Sequence, residues 1–255
     1  MKLLRYGGLY AVCLIVFLLM SAPLSVAVGL LGKAAPGLSF QRAEGRLWGG
    51  RLVAATLNGR PLGDVELSVR PLGFLTGALS VSWAVDGPSL AGDGVYVQRL
   101  GGAPVLKNAK LRADLRRLGA GRVADAQVQG MVDADVARAS FGRKGCLSIE
   151  ADIWTDALIQ STSAYGWKGA PLTGAAACDD GRLVLPLSTA EAERKGELIK
   201  VTAVVRPDLT YRLTGAVETE DPELRLVLPV LGFREEDGVY GLSQDGALNG
   251  ARPVS

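Results

Sequence analysis

The chain contains no histidine. That removes the general base that works nearest neutral pH, the Ser-His-Asp relay and the commonest metal ligand together. Carboxylates remain in the runs Asp179-Asp180, Glu220-Asp221 and Glu235-Glu236-Asp237. Glycosidase chemistry would need two of them about 5–10 Å apart across a cleft. Each run sits among turn-forming residues, where solvated loop charges are the ordinary outcome. Ser161-Thr162-Ser163 offers hydroxyls, with Lys144 and Lys168 as the candidate bases in the chain around them. Nothing in the spacing links a nucleophile to a base. No catalytic residue is assigned.

Metal and nucleotide chemistry fare no better. Gly63, Gly73, Gly77 and Gly87 lack the spacing and the Lys-Ser/Thr ending of a phosphate loop. Three cysteines are present, Cys13, Cys146 and Cys178. Cys13 lies in an apolar run and reads as a small apolar helix residue. Without a CxxC spacing or any histidine, the other two make a poor metal-ligand set. No cofactor and no metal is expected.

Lys and Arg number 28 against 26 Asp and Glu, and the basic residues are scattered along the chain. Linear order therefore shows no basic stripe for nucleic acid.

The elements that would position any site begin with a membrane signal. Residues 6–32 carry no charge, and about 27 helical residues at about 1.5 Å each exceed a hydrocarbon core of about 30 Å. Lys2 and Arg5 precede the run, so the positive-inside rule keeps the N-terminus cytoplasmic and sends the rest across. Residues 1–33 are read as tip and transmembrane anchor, and 34–255 as one periplasmic domain. The competing reading is a cleaved signal peptide, because Ser25-Val26-Ala27 follows Pro23 with small-x-small form. Both place the domain in an oxidising compartment. An even pair of exported cysteines there favours a Cys146–Cys178 disulfide.

Residues 34–255 read as β throughout. Leu52, Ala54 and Thr56 alternate before Asn58-Gly59, and Val65, Leu67 and Val69 alternate after it, which is the pattern of a two-residue hairpin. Leu79, Val81, Trp83 and Val85 form a third half-buried strand. Short strands continue through Leu106–Leu115, Val128–Val136, Leu183–Leu187, Leu198–Val205, Leu209–Val217 and Leu224–Leu228, with Gly, Asp and Pro between them. Cys146 to Ile153 alternates so that Cys146 falls with Ser148, Glu150 and Asp152 on the polar face. Helical character is confined to Ala113–Leu118 and Thr189–Lys195. The stretch Ser161–Ala177 looks irregular and would link two similar halves. The expected fold is mainly β: one N-terminal transmembrane helix, then a large, curved, mostly antiparallel sheet with an apolar concave face.

The string Gly45-Arg46-Leu47-Trp48-Gly49-Gly50 combines an aromatic with glycines that permit close strand contact. Together with the hairpin after it, Arg70-Pro71-Leu72, Leu79–Gly92, Trp167–Gly174 and Asp237-Gly238-Val239-Tyr240-Gly241-Leu242, it resembles protein N of the bacterial type II secretion system, the general secretion pathway protein N. Residues 116–135 and 155–165 do not share the likeness. The resemblance implies an accessory inner-membrane component facing the periplasm, not an enzyme. Its partners would be other secretion-system proteins and, through the anchor, membrane lipid; no nucleic acid or small-molecule substrate is implied. Strand edges, loops, or patches around Gly45–Gly49, Trp48 and Trp83 are the candidate docking sites. The alternative is an AsmA-like lipid-handling protein, because a tethered curved sheet with an apolar inner face is also a hydrocarbon groove.

Overall fold

The computed structural model describes residues 37–46, 48–57, 59–71, 73, 77–118, 122–123, 126–162, 169–189, 197–230 and 232–247, with Tyr6, Tyr10, Leu14, Phe17, Ser21, Pro23 and Leu24. Most of the expected anchor, and the expected helix over 189–195 beyond Thr189, lie outside these residues. Among the described residues no helix is long and apolar enough to cross a membrane.

Short strands β1 (Leu38–Ser39) and β2 (Arg42–Arg46) lead into β3 (Gly49–Leu57), β4 (Arg60–Arg70), β5 (Ala78–Asp86), β6 (Leu90–Arg99) and β7 (Val105–Asp114). One helical turn, α1 (Leu115–Leu118), and a small ladder, β8 (Arg122–Val123) with β9 (Ala126–Gln127), follow. Then come β10 (Met131–Gly142), β11 (Gly145–Thr155), α2 (Ala157–Thr162), β12 (Leu172–Ala175), β13 (Ala177–Asp179), β14 (Arg182–Thr189), β15 (Glu197–Val205), β16 (Thr210–Thr219), α3 (Pro222–Val227), β17 (Arg234–Glu236) and β18 (Val239–Ala247).

All but β8 and β9 belong to one 16-stranded sheet, in the order β1-β3-β4-β5-β6-β7-β10-β11-β12-β14-β15-β16-β18-β17, with β2 beside β3 and β13 beside β14. Every pairing is antiparallel. Spatial order follows sequence order because most connections are short hairpins. The stretch expected to link two halves is not a break: Leu172–Ala175 pairs with β11 and β14 and carries the sheet across. Both edges end in short strands, which limits uncontrolled pairing with other chains.

The strands expected around Asn58-Gly59 are present, with Leu57 paired to Arg60, and Val65, Leu67 and Val69 pair with Val85, Trp83 and Val81. Ala54 departs from the expected alternation. Its φ is 52° and the register jumps between Leu52 and Ala55, so a bulge turns Ala55 inward in place of Ala54. Leu52 and Ala55 are both buried. Asp64 explains the site: its Oδ1 accepts from the Ala54 amide at 2.9 Å and its Oδ2 pairs with Arg51 at 3.0 Å.

Leu224–Leu228 is not a strand. Asp221 accepts from the Glu223 amide at 2.8 Å, Pro222 opens the first turn, and the chain turns into α3. Leu224, Val227 and Leu228 fall on one face and are buried. Full burial of such side chains contributes about 1.5–3 kcal/mol each. Leu224 and Leu228 join Leu172, Ile199, Val217 and Tyr240 in one core cluster.

Candidate functional site

The inner face of the later strands is built from alternation. Leu183, Leu185 and Leu187 of β14, Val201, Ala203 and Val205 of β15, and Tyr211, Leu213 and Gly215 of β16 line one groove of about 900 Å³, with Leu242 of β18 beside them. Phe141 of β10 and Gln244 of β18 wall the same groove. In sheet order those strands are six spacings apart, about 29 Å if the sheet were flat. The sheet therefore curls around its apolar side, as the sequence led us to expect. The volume lies within the ordinary range of ligand pockets, about 300–1,000 Å³.

Small residues and aromatics set the lining. Tyr211 lies across Gly246, where a Cβ would come within 2.3 Å of the ring, and Phe233 lies over Gly215. Opposite the helical end, the groove reaches Gly145, Gly181, Arg206 and Leu209 at the hairpin turns. Toward its other end the lining takes in Leu158, Leu172, Leu187 and Phe233, which belong to or pack against the core that α3 completes.

The disulfide closes one wall. Cys146 and Cys178 are bonded with their Cα atoms 5.5 Å apart. Cys146 is buried on the groove face, contrary to the polar face that simple alternation assigns. The reason is a second bulge: Ser140 pairs with Ser148, then Phe141 with Cys146, leaving Leu147 as the extra residue. Leu147 is turned outward as a result. Neighbouring turns are tied as well, the Cys146 amide donating to the Gly181 carbonyl at 2.9 Å.

The acidic runs have structural partners. Asp179 pairs with Arg182, Asp221 caps α3, and the Tyr240 hydroxyl donates to Glu235 Oε2 at 3.3 Å. Burial, reinforced by the Glu235 charge, pushes the Tyr240 phenol above its ordinary value. Bidentate hydrogen bonds from Arg212, at 2.9 and 3.0 Å, hold the Asp245 carboxyl below the usual range. Hydrogen bonds from the Thr210 hydroxyl and amide do the same for Asp208. Ser161 and Thr162 fall in α2, and Lys144 lies in the β10–β11 turn; Ser163 and Lys168 are outside the described residues. Among the described residues no group of three or more His, Cys, Asp or Glu could hold a metal ion.

A second concavity, of about 780 Å³, lies on the outer face. Arg112 pairs with Asp133 at 2.6 Å and Lys110 with Asp135 at 3.8 Å along it, so charge is interleaved. Asp133 raises the Arg112 pKa by its hydrogen bond and its charge.

The motif residues are dispersed. Gly45 and Arg46 end β2 and Gly49 begins β3; Gly45 has φ 97°, and a Cβ there would meet the Gly49 carbonyl oxygen at 2.7 Å. The Trp48 carbonyl accepts from the Val69 amide at 3.0 Å, and Leu47 lies outside the described residues. Trp83 packs over Gly94 and Ala109. The glycines thus build a hairpin.

Sequence reasoning missed the docking of Leu24. It is buried with Leu52 and Ala55, against Phe40, Ala43, Leu62, Val65 and Leu67, while Pro23 bridges Arg46. The one available signal was Gly50, whose missing Cβ leaves room for it.

No curated protein and no solved structure matches the chain. The family model described as type II secretion system (T2SS), protein N matches residues 36–243, which takes in every strand except the end of β18. The chain therefore belongs to the type II secretion system protein N family.

Proposed function

We propose that this protein is an accessory component of the type II secretion apparatus. It is held in the inner membrane by its N-terminal segment, and it presents the sheet to the periplasm as a structural or interaction subunit. The observation that carries this is the family match over nearly the whole sheet. The uncharged run over residues 6–32 supports the tether. The disulfide supports an oxidising compartment. In this reading the domain comprises residues 34–255 and works by contact, without turnover. Its partners are other inner-membrane or periplasmic subunits, and loops or strand edges are the means of docking.

Affinity capture from crosslinked membranes, analysed for protein and lipid in the same sample, tests this. Secretion-system subunits in the crosslinked fraction are the expected result. Abundant phospholipid or lipopolysaccharide without those subunits would overturn it.

One observation favours a second reading, an AsmA-like envelope lipid handler: the groove is walled almost entirely by apolar side chains and reaches the hairpin turns. In that case lipid co-purifies with the chain in the absence of any partner subunit.

A further inference from the structure

The antiparallel register fixes which connections share an end of the sheet. Arg46 pairs with Gly49, Arg70 with Ser80, Arg99 with Ala78 and Gly142 with Gly145. Cys146 bridges Gly181, and Val205 pairs with Leu183 and Tyr211. The β2–β3, β4–β5, β6–β7, β10–β11, β13–β14 and β15–β16 connections therefore lie side by side.

These connections are basic. Arg46, Arg70, Arg99, Arg143 and Lys144 are exposed and Arg206 is half-buried. Asp179 is neutralised by Arg182, and Asp180 and Asp208 are the remaining described acids there. Apolar side chains stand among the cations: Leu100 is 88% exposed, Leu147 56%, Leu209 49% and Phe141 41%. Leu209 takes φ 65° in the β15–β16 turn, a conformation unfavourable for a leucine, with its side chain left in solvent. The opposite end has the reverse bias. Among the described residues Asp86, Asp156, Glu220, Asp221, Glu223 and Asp237 lie there with Arg60, Arg116, Arg117 and Arg225.

The N-terminal segment meets the sheet at the basic end. Pro23 bridges Arg46, and Leu24 lies over Gly50 near the start of β3. A chain whose apolar run ahead of Pro23 sits in a bilayer thus has its basic, apolar-studded end nearest that bilayer.

We infer that this end of the sheet is a docking surface for an anionic lipid bilayer, with Arg99, Arg143, Lys144 and Arg206 over the headgroups and Leu100 and Leu209 at the acyl boundary. The inference rests on the tether reading above. Each basic residue held at an anionic surface raises occupancy about five-fold at low salt, and the gain fades within a Debye length. Exposed leucines among them add apolar contact at the interface. The occupant is a membrane, because charge, apolar exposure and the entry point of an apolar segment coincide at one end.

The full chain, with Cys13→Ala and a fluorophore attached at Leu100→Cys, Leu209→Cys or, as the control on the other end, Leu226→Cys, is reconstituted into discs containing brominated phosphatidylcholine. Half of the discs also contain phosphatidylglycerol. With phosphatidylglycerol present, quenching at positions 100 and 209 should exceed that at 226 at least about two-fold, and salt should reduce it. The combined Arg99→Gln, Arg143→Gln and Lys144→Gln variant should lose that excess. Equal quenching at all three positions, or no response to phosphatidylglycerol in the chain with its native cations, would overturn the surface. Alkaline extraction of the chain from the discs would sink the tether alone, since quenching before the wash still decides the surface.

Discussion

Leu24 rests on Gly50: a Cβ at that glycine would stand 2.7 Å from the Leu24 Cδ2 and 2.4 Å from the Glu44 carbonyl oxygen. The N-terminal segment and the first edge of the sheet are thereby one packed unit, with Leu52 and Ala55 beneath.

Gly50→Ala should destabilise the protein by about 1–3 kcal/mol, because the new methyl group meets backbone as well as side chain. At about 2–4 °C per kcal/mol for a chain of this size, thermal melts resolve it. Gly49→Ala, where a Cβ meets nothing within 4 Å, is the control expected to stay within about 0.5 kcal/mol.

Opening the disulfide should cost about 3–4 kcal/mol, since the bond closes a separation of 32 residues. Urea midpoints with and without reductant measure it. The Cys146→Ser, Cys178→Ser double variant should match the reduced protein and lose its response to reductant; a midpoint unmoved by reductant contradicts the bond.

Leu224 is fully buried on α3 and Leu226 is 78% exposed two residues on. Leu224→Ala should cost about 2–5 kcal/mol, while Leu226→Ala stays within about 0.5 kcal/mol. Equal effects in urea melts would show that this segment is not the helix described.

How far this segment was legible in the sequence turns on a competition of signals. The apolar run Leu224–Leu228 suits a strand. Asp221-Pro222-Glu223 ahead of it is a helix start, and the local cap decided the outcome. Alternation correctly gave the faces of β4 and β5, because nothing interrupts their register. It failed at Ala54 and Leu147, because a bulge inverts every residue on one side of it and leaves no fixed residue type behind. The groove was legible as an apolar concave face, but its walls were not: Phe141 and Gln244 lie far apart in the sequence and line one groove only through the sheet order. The basic end was invisible. Scattered arginines at the ends of successive strands are gathered only once the hairpins are formed.

Asp245 gives the acid limb a direction. Its carboxyl is held low, first by the Arg212 hydrogen bonds, so its contribution is present above the unfolded carboxylate pKa of about 4 and is lost as pH falls through the folded value. Asp245→Asn should flatten the decline in stability below about pH 4, as followed by urea midpoints across pH. An unchanged slope would remove Asp245 from the acid response.

Ala203 lines the groove between Val201 and Val205. Ala203→Phe should fill part of that space with little change in melting temperature. If the groove carries lipid, the lipid extracted with the purified variant falls relative to the native chain. Native protein free of lipid would remove the second functional reading and leave secretion-system contacts in place.

Sheet order that follows sequence order also has a kinetic consequence. Hairpins close in about 1–10 μs, whereas a chain grows at about 5–20 residues per second. Each strand from β4 to β7, and again from β14 to β16, finds its neighbour already made. The sheet can therefore be laid down from its first edge as the polypeptide is made. An arrested chain would be a narrower version of the same sheet, ending on whichever strand was added last.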